Sequence, residues 1–265
     1  MLKYSFYHFM DRPIEYMIHP RFMGSERQYK LYSLKKLSLD CFFYLGCTIF
    51  AYYLFRQEYW FPSIVGGCGD CGSLYKHYPD WPPGDVRGNM EMYFNLQMGV
   101  HIFSVFEMIV IKRNKERKFY EYLLHHFVAA SLILFSMMSN QTTPGLMILI
   151  VHDASDILLA GGRAVVDMKW ATGTMKLVAL VGCITVWIHM RILVFPFCLL
   201  ANVYANKPTP QDEWYMISFE YNYLLCMAFV LYGMHIFWTY MMIKVGIKAA
   251  SGKSITNVHD EKSQQ

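Results

Sequence analysis

The pattern of hydrophobic and polar positions along the chain is dominated by apolar runs of about twenty residues. A helix needs roughly 20 residues to cross the hydrocarbon layer of a bilayer. Several runs of that length are more than the core of a soluble domain requires, so they indicate an all-α polytopic membrane protein with six transmembrane helices. We predict spans at about 37–55, 92–111, 119–138, 146–162, 175–203 and 215–245, with a kink or break at Pro196 in the fifth.

The polar segments divide the chain into three parts: an N-terminal arm, 1–36, the membrane domain, 37–248, and a polar C-terminal tail, 249–265. Most of the 24 Lys and Arg residues fall on the side that carries both termini, including the loop KRNKERK at 112–118. Because cytoplasmic loops are enriched in these residues, we expect both termini in the cytoplasm, or in the matrix for a mitochondrial protein. The loop 56–91 is then exoplasmic.

That loop contains the sequence GGCGDCGS, with Cys68 and Cys71. A single Cys-x-x-Cys supplies only part of the four ligands that structural zinc takes. A Cys68–Cys71 disulfide is one expectation in an oxidising compartment, and a loop without redox chemistry is the other. The remaining five of the seven cysteines lie in apolar runs, which is typical of small buried residues.

Ionisable side chains interrupt the apolar runs, although an ionisable group at the bilayer centre costs roughly 2.5–3.5 kcal/mol. The third span has the pair His125 and His126, and the fourth has His152, Asp153 and Asp156. We expect these groups to face the interior of the bundle or a wet cavity. The first span also has Asp40. For the single groups of the other spans we favour a role as hydrogen-bonded packing residues; they are His101, Glu107, His189 and His235.

Helical spacing puts His152 and Asp156 on one face, and Asp153 and Asp156 are also neighbours. A carboxylate beside a histidine fixes its tautomer, and a base or nucleophile oriented in this way is the recurring arrangement of acyl-transfer sites. At a rise of about 1.5 Å per residue, Asp156 is nearest in depth to the histidine pair and His152 lies further out. An elongated cavity lined by these groups would suit a long-chain lipid with one polar end.

Two metal centres and one structural arrangement compete with this interpretation. Di-iron lipid hydroxylases use several clustered histidine motifs, whereas this chain has one HH pair. A mononuclear zinc site of two or three histidines and one aspartate is a second possibility. In the third, the groups only bond to one another and specify the packing of the bundle. We predict no metal.

The motifs resemble those of the TLC-domain family, and within it the ceramide synthases, over about 26–248. KERKFYEYLLHH resembles the lead-in to the HH pair of that family, and FSMMSNQTTPGLMILIVHDASDILL is similar to the stretch that joins HH to HD. VWIHMRILVFPF looks like its W-x-x-x-R followed by Phe-Pro, and YNYLLCMAFVLYGMHIFW resembles its last span. The chain departs from the family after Asp156, with Ala160 in place of a Glu and Arg163 in place of a Lys.

The resemblance implies a six-transmembrane-helix TLC-domain bundle that transfers a fatty acyl group from acyl-CoA to a sphingoid base. It implies no cofactor, with acyl-CoA as co-substrate, and a location in the endoplasmic reticulum membrane, with the mitochondrial inner membrane as the alternative. Expected partners are membrane lipids and the two substrates, in a homodimer or larger membrane complex and without nucleic acid. The alternative function is a non-catalytic lipid-binding subunit of a large membrane complex, for example a respiratory assembly.

Site residues follow from the same resemblance. The essential set would be His125, His126, His152, Asp153 and Asp156. We favour His152 as base or nucleophile, oriented by Asp156 or Asp153. The residues expected to bind substrate are Trp187 and Arg191 in the fifth span and Lys112, Arg113 and Lys115 in the basic loop. The charges of the loop would attract the phosphates of CoA, or they would serve only to set the membrane topology.

Overall fold

A computed structural model describes residues 2–75, 85–110, 119–206 and 218–251, which form helices and connecting loops. The apolar runs of the sequence lie in helices that are longer than the predicted spans, except α5, which has the predicted bounds of the third span. The helices are α1 (Leu2–Phe9), α2 (Asp11–Met17), α3 (Gly24–Phe55), α4 (Asp85–Val110), α5 (Phe119–Met138), α6 (Thr142–Val166), α7 (Gly173–Trp187), a π-helix (Ile188–Leu200), α8 (Ala201–Ala205) and α9 (Ser218–Ala250). Two short 3-10 helices, Ser63–Val65 and Cys71–Tyr75, lie between α3 and α4.

Five segments of the described chain are long and apolar enough to cross a membrane, which shows an all-α membrane protein with several spans. They are α3, α5, α6, the continuous segment from α7 to α8, and α9. The second predicted span is α4, a helix of 26 residues that is not among the five. Its polar side chains, which include Asn95, Gln97, His101 and Glu107, lower its mean hydropathy. By composition, the count of six spans is therefore not exact.

The chain does not break at Pro196, and a kink at this residue stays a prediction. The helix continues to Ala205, and the segment Ile188–Leu200 adopts the wider π-helical geometry with Pro196 inside it. A π-helix bonds residue i to i+5, so the backbone can absorb a proline without ending the helix. Six side chains of this segment are buried, including Arg191 and Phe195.

The described residues belong to two compact units. The first combines 1–48, 153–188 and 239–265, and the second combines 49–152 and 189–238. The boundary crosses α6 between His152 and Asp153.

The N-terminal arm is part of the first unit and is held by polar contacts to the end of α6. The ammonium of Lys30 lies 2.9 Å and 3.0 Å from the carboxylate oxygens of Asp167, with both side chains at most 5% exposed. The backbone N–H of His19 donates to the carbonyl of Asp167 at 3.0 Å, and Ile18 forms a β-bridge with Met168. A buried charge pair of this kind fixes the position of two chain segments that the sequence places far apart.

Ala160, the departure from the family pattern, lies in an apolar cluster of the first unit. It is 5% exposed and packs with Ile14, Leu34, Leu37 and Ala164. A carboxylate here would be buried among hydrocarbon side chains, which is costly unless it is paired. The small apolar residue therefore fits the docking of the N-terminal arm against α6.

Close backbone approaches explain the glycines of GGCGDCGS, in the second unit. Gly69 donates to the carbonyl of Phe61 at 2.7 Å, and its own carbonyl accepts from Ser63 at 2.8 Å. A Cβ at Gly69 would lie 1.8 Å from the carbonyl oxygen of Tyr59, and one at Gly67 would lie 2.2 Å from that of Phe61. Only glycine fits at these two positions.

Neither of the two expectations for the cysteines of the loop is correct. Cys71 forms a disulfide with Cys198 of the π-helix, 127 residues later, and Cys68 is free and exposed. Cys198, expected as an ordinary buried residue, is 2% exposed in its bonded form. The pair Cys71–Cys198 was not predicted because the sequence does not indicate that the end of the π-helix lies beside the loop.

This pairing predicts which cysteines react with an alkylating reagent. Protein unfolded without reductant should take up five labels, on the five free cysteines, and seven after reduction. The measurement is mass spectrometry of the labelled protein, followed by a digest in which peptides containing Cys71 and Cys198 are joined. In a Cys68→Ser variant the joined peptides should persist. A digest that joins Cys68 to Cys71 would contradict the pairing.

Candidate functional site

Three histidines of the second unit lie side by side on α4 and α5. Nδ1 of His101 is 3.1 Å from Nδ1 of His126, and the two rings are 5.3 Å apart. The rings of His125 and His126 are also 5.3 Å apart, and His125 packs edge-on against Trp238 of α9 at 5.3 Å. The predicted HH pair therefore has a third imidazole, His101, as its neighbour.

His152 forms a second imidazole pair in the same unit. Its Nδ1 is 2.6 Å from the carbonyl oxygen of Ile148, one turn earlier on α6. Its Nε2 is 3.0 Å from Nε2 of His235 on α9. Phe195 of the π-helix packs against both rings, with centroids 5.8 Å and 5.0 Å away. A carbonyl oxygen only accepts, so Nδ1 of His152 carries the proton and the lone pair of the neutral ring is on Nε2.

Arg191 lies beside this second pair and is 1% exposed. Its Nη2 donates to the backbone carbonyl of His152 at 3.1 Å, and its Nη1 is 3.4 Å from Nε2 of His235. The guanidinium thus contacts protein atoms at the point where α6, the π-helix and α9 meet. Whether it also binds substrate stays a prediction.

The other predicted residues belong to the first unit or lie outside the described residues. Asp153 and Asp156 belong to the first unit, where Asp153 is 5% exposed, and their role in orienting His152 stays a prediction. Trp187 also belongs to the first unit and donates from Nε1 to the hydroxyl of Thr239 at 2.9 Å. Its role in substrate binding is a prediction as well. The three basic-loop residues lie outside the described residues: Lys112, Arg113 and Lys115.

His101 and His235 are the site residues that the sequence interpretation did not select. Each is a single histidine on a helix that carries none of the catalytic set, so helical spacing gives it no partner. Only the packing of α4 on α5, and of α9 on α6 and the π-helix, brings the rings together. Within the described ranges, no group of three or more His, Cys, Asp or Glu side chains is arranged to hold a metal ion. The absence of a metal stays a prediction.

Known proteins resemble this chain over most of its length. The TLC domain family model matches residues 34–244. Ceramide synthase hyl-2 of Caenorhabditis elegans is 26% identical over 70% of the chain and 57% of its own length. Ceramide synthase 3 of Homo sapiens is 25% identical over 91% of the chain and 59% of its own length. Ceramide synthase 1 LOH3 of Arabidopsis thaliana is 25% identical over 87% of the chain and 74% of its own length.

The chain therefore spans less than two thirds of the length of the first two relatives. The matched residues nevertheless contain all the helices from α4 to α8 and most of α3 and α9. They also contain the three histidines of α4 and α5 and the pair formed by His152 and His235. A match of this extent covers far more than half of the chain. The chain belongs to the TLC domain family.

Proposed function

We propose that this protein is an N-acyltransferase similar to ceramide synthases, which joins a fatty acyl group from acyl-CoA to the amine of a sphingoid base in the membrane. The observation that carries the proposal is the state of His152. Its Nδ1 is bonded to a backbone carbonyl, so its basic lone pair is on Nε2, and the residue is not fully buried. Several similar proteins are named ceramide synthases, which supports the choice of reaction.

In amide formation from a thioester, a C–N bond replaces the C–S bond and the amine loses a proton. The amine nitrogen attacks the thioester carbonyl, the new C–N bond forms, and the C–S bond breaks. The proton lost by the amine passes to a base and then to the CoA thiolate, which leaves as free CoA. Nε2 of His152 can serve as that base, or it can take the acyl group first and pass it to the amine. Both routes need a neutral imidazole with its lone pair on Nε2.

The histidine cluster on α4 and α5 supplies the second polar feature of the proposed site. His125 and His126 belong to the set that the family resemblance implies, and His101 fixes the orientation of His126 by their 3.1 Å contact. Residues that are held in this way lose less freedom when they meet a substrate. The proposed reaction uses no cofactor, and its proposed place is the endoplasmic reticulum membrane. A homodimer or larger complex remains part of the proposal.

The test is incubation of the purified full-length protein, in lipid nanodiscs, with palmitoyl-CoA and sphinganine. We expect amide product by mass spectrometry and free CoA thiol in equal amounts. A reaction without sphinganine should give no amide and measures hydrolysis of the thioester. A folded protein that forms no amide, and that co-purifies with other membrane subunits, would instead be the non-catalytic lipid-binding subunit.

A further inference from the structure

His235 is a buried histidine that no part of the proposed reaction uses. It is 0% exposed, and its Nε2 lies near two groups: Nε2 of His152 at 3.0 Å and Nη1 of Arg191 at 3.4 Å. All three residues belong to the second unit. A hydrogen bond to His152 requires a proton on this nitrogen atom, whereas a hydrogen bond from Arg191 requires that the atom carry none.

The first demand comes from His152. The proton of that ring is on Nδ1, so its Nε2 can only accept when the ring is neutral. A hydrogen bond between the two rings therefore requires a proton on Nε2 of His235. In this tautomer His235 donates to the lone pair of His152, the same lone pair that the proposed reaction needs.

The second demand comes from Arg191, whose guanidinium only donates. To accept from Arg191, Nε2 of His235 must be without its proton, which then moves to Nδ1. In this second tautomer two lone pairs face each other across the 3.0 Å between the rings, which is unfavourable. His152 then no longer accepts from His235, so this hydrogen bond no longer competes with a substrate for the lone pair of His152.

Exposure separates the roles of the three side chains. His235 and Arg191 are at most 1% exposed, whereas His152 is partly exposed. Of the three, His152 is therefore the one that a reactant can touch, and His235 acts through it.

We propose that His235 is a positioning residue that holds the lone pair of His152 in one tautomer and releases it in the other, in which His235 accepts from Arg191. The inference rests on the proposed function, because it assigns a reactive role to His152. It adds no covalent step. Its consequence is that His152 does not react with a thioester, or with water, whenever His235 donates to it. His235 thereby limits the reactivity of His152, including hydrolysis of the thioester when no amine is present.

The direct test measures the reactivity of the lone pair with diethylpyrocarbonate, which modifies the unprotonated nitrogen of an imidazole. The modification of His152 is followed over time by peptide mass spectrometry in the intact protein. We expect a His235→Phe variant to modify His152 about two- to tenfold faster than the wild type, the range that corresponds to one ordinary hydrogen bond. His235→Gln keeps a donor and an acceptor and should stay within about twofold of the wild type.

Controls separate this effect from loosening of the fold. In each variant the rates at His125 and His126 should be unchanged, because a loosened bundle would expose all the histidines. His189→Phe changes another histidine, whose contact is the backbone carbonyl of Ile64, and should leave the rate at His152 unchanged. Equal rates at His152 in the wild type and His235→Phe, or a His235→Gln rate as high as that of His235→Phe, would overturn the proposal.

A substitution of Arg191 should change the modification rate of His152 in the opposite direction. Arg191→Gln removes the strong competing donor, so His235 should remain bonded to His152 and the modification of His152 should be slower than in the wild type. A faster rate, with unchanged rates at His125 and His126, would contradict the two-tautomer arrangement.

Turnover tests the consequence for the proposed reaction. With palmitoyl-CoA alone, His235→Phe should release free fatty acid and CoA several-fold faster than the wild type. In this hydrolysis the C–S bond breaks, water forms the C–O bond, and the thiolate takes a proton. The two hypotheses fail separately: a wild type that makes no amide refutes the proposed function, whereas unchanged reactivity of His152 in His235→Phe refutes the role of His235.

Discussion

A His152→Ala variant is expected to lose amide formation by a factor of about 10²–10⁴ while remaining folded and inserted in the membrane. The factor is the usual contribution of a positioned general base, and a nucleophilic role would give at least as large a loss. The change removes the Nε2 lone pair and the bond to His235 together. The measurement is the initial rate of amide formation from palmitoyl-CoA and sphinganine, compared at equal amounts of protein in nanodiscs.

The matched control is His189→Ala, a histidine on the same π-helix as Arg191 that contacts a loop carbonyl and neither imidazole pair. It should keep a rate within about threefold of the wild type, since substitutions away from the reacting groups rarely change the barrier by much. Size-exclusion chromatography and thermal unfolding confirm that both variants are folded. A His152→Ala protein that turns over at the wild-type rate would exclude this residue as base or nucleophile.

The second large effect is expected on stability, from the buried ion pair of the first unit. Lys30→Met should lower the free energy of unfolding by about 3–5 kcal/mol, because it leaves the carboxylate of Asp167 buried without that counter-charge. Methionine keeps the length of the side chain, so the loss reports the charge. The measurement is unfolding in detergent followed by circular dichroism, in the presence of increasing denaturant.

Two further variants define the origin of this effect. Arg87→Met removes an ion pair to Glu91 whose side chains are 58% and 42% exposed, and should cost at most about 0.5 kcal/mol. The double variant Lys30→Met with Asp167→Leu should recover most of the stability, since a buried pair and an apolar pair of similar volume are often nearly equivalent. A Lys30→Met protein as stable as the Arg87→Met protein would show that the pair does not hold the N-terminal arm.

The helices and the family were predictable from the sequence because both depend on patterns within one segment. Apolar length identifies a span, and the HH and HDxxD motifs lie within single helices. The partners of the histidines were not predictable, because they come from other helices. His235 is 83 residues from His152, and its place beside that ring depends on how α9 packs.

The same limit applies to charge and to sulfur. Lys30 and Asp167 are 137 residues apart, and each resembles an ordinary solvated residue at the end of an apolar run. A Cys68–Cys71 disulfide was one of two expectations because these cysteines are neighbours in sequence, whereas the bond joins Cys71 to a helix that is distant along the chain. Contacts of this kind depend on tertiary packing, which no local pattern encodes.

The Cys71–Cys198 bond also leads to an expectation about how many times the chain passes through the bilayer between these residues. Two joined cysteines lie at the same face of the membrane, so the number of crossings between them is even. The candidates are α4, α5, α6 and the segment from α7 to α8, and without α4 the number would be odd. The hydroxyl of Thr143 donates to the carbonyl of Leu74, so we expect the turn between α5 and α6 to lie at this face too. The number of crossings between Leu74 and Thr143 would then also be even, which again requires α4 in addition to α5. We therefore expect the polar helix α4 to cross the bilayer, although its composition alone does not identify it as a span.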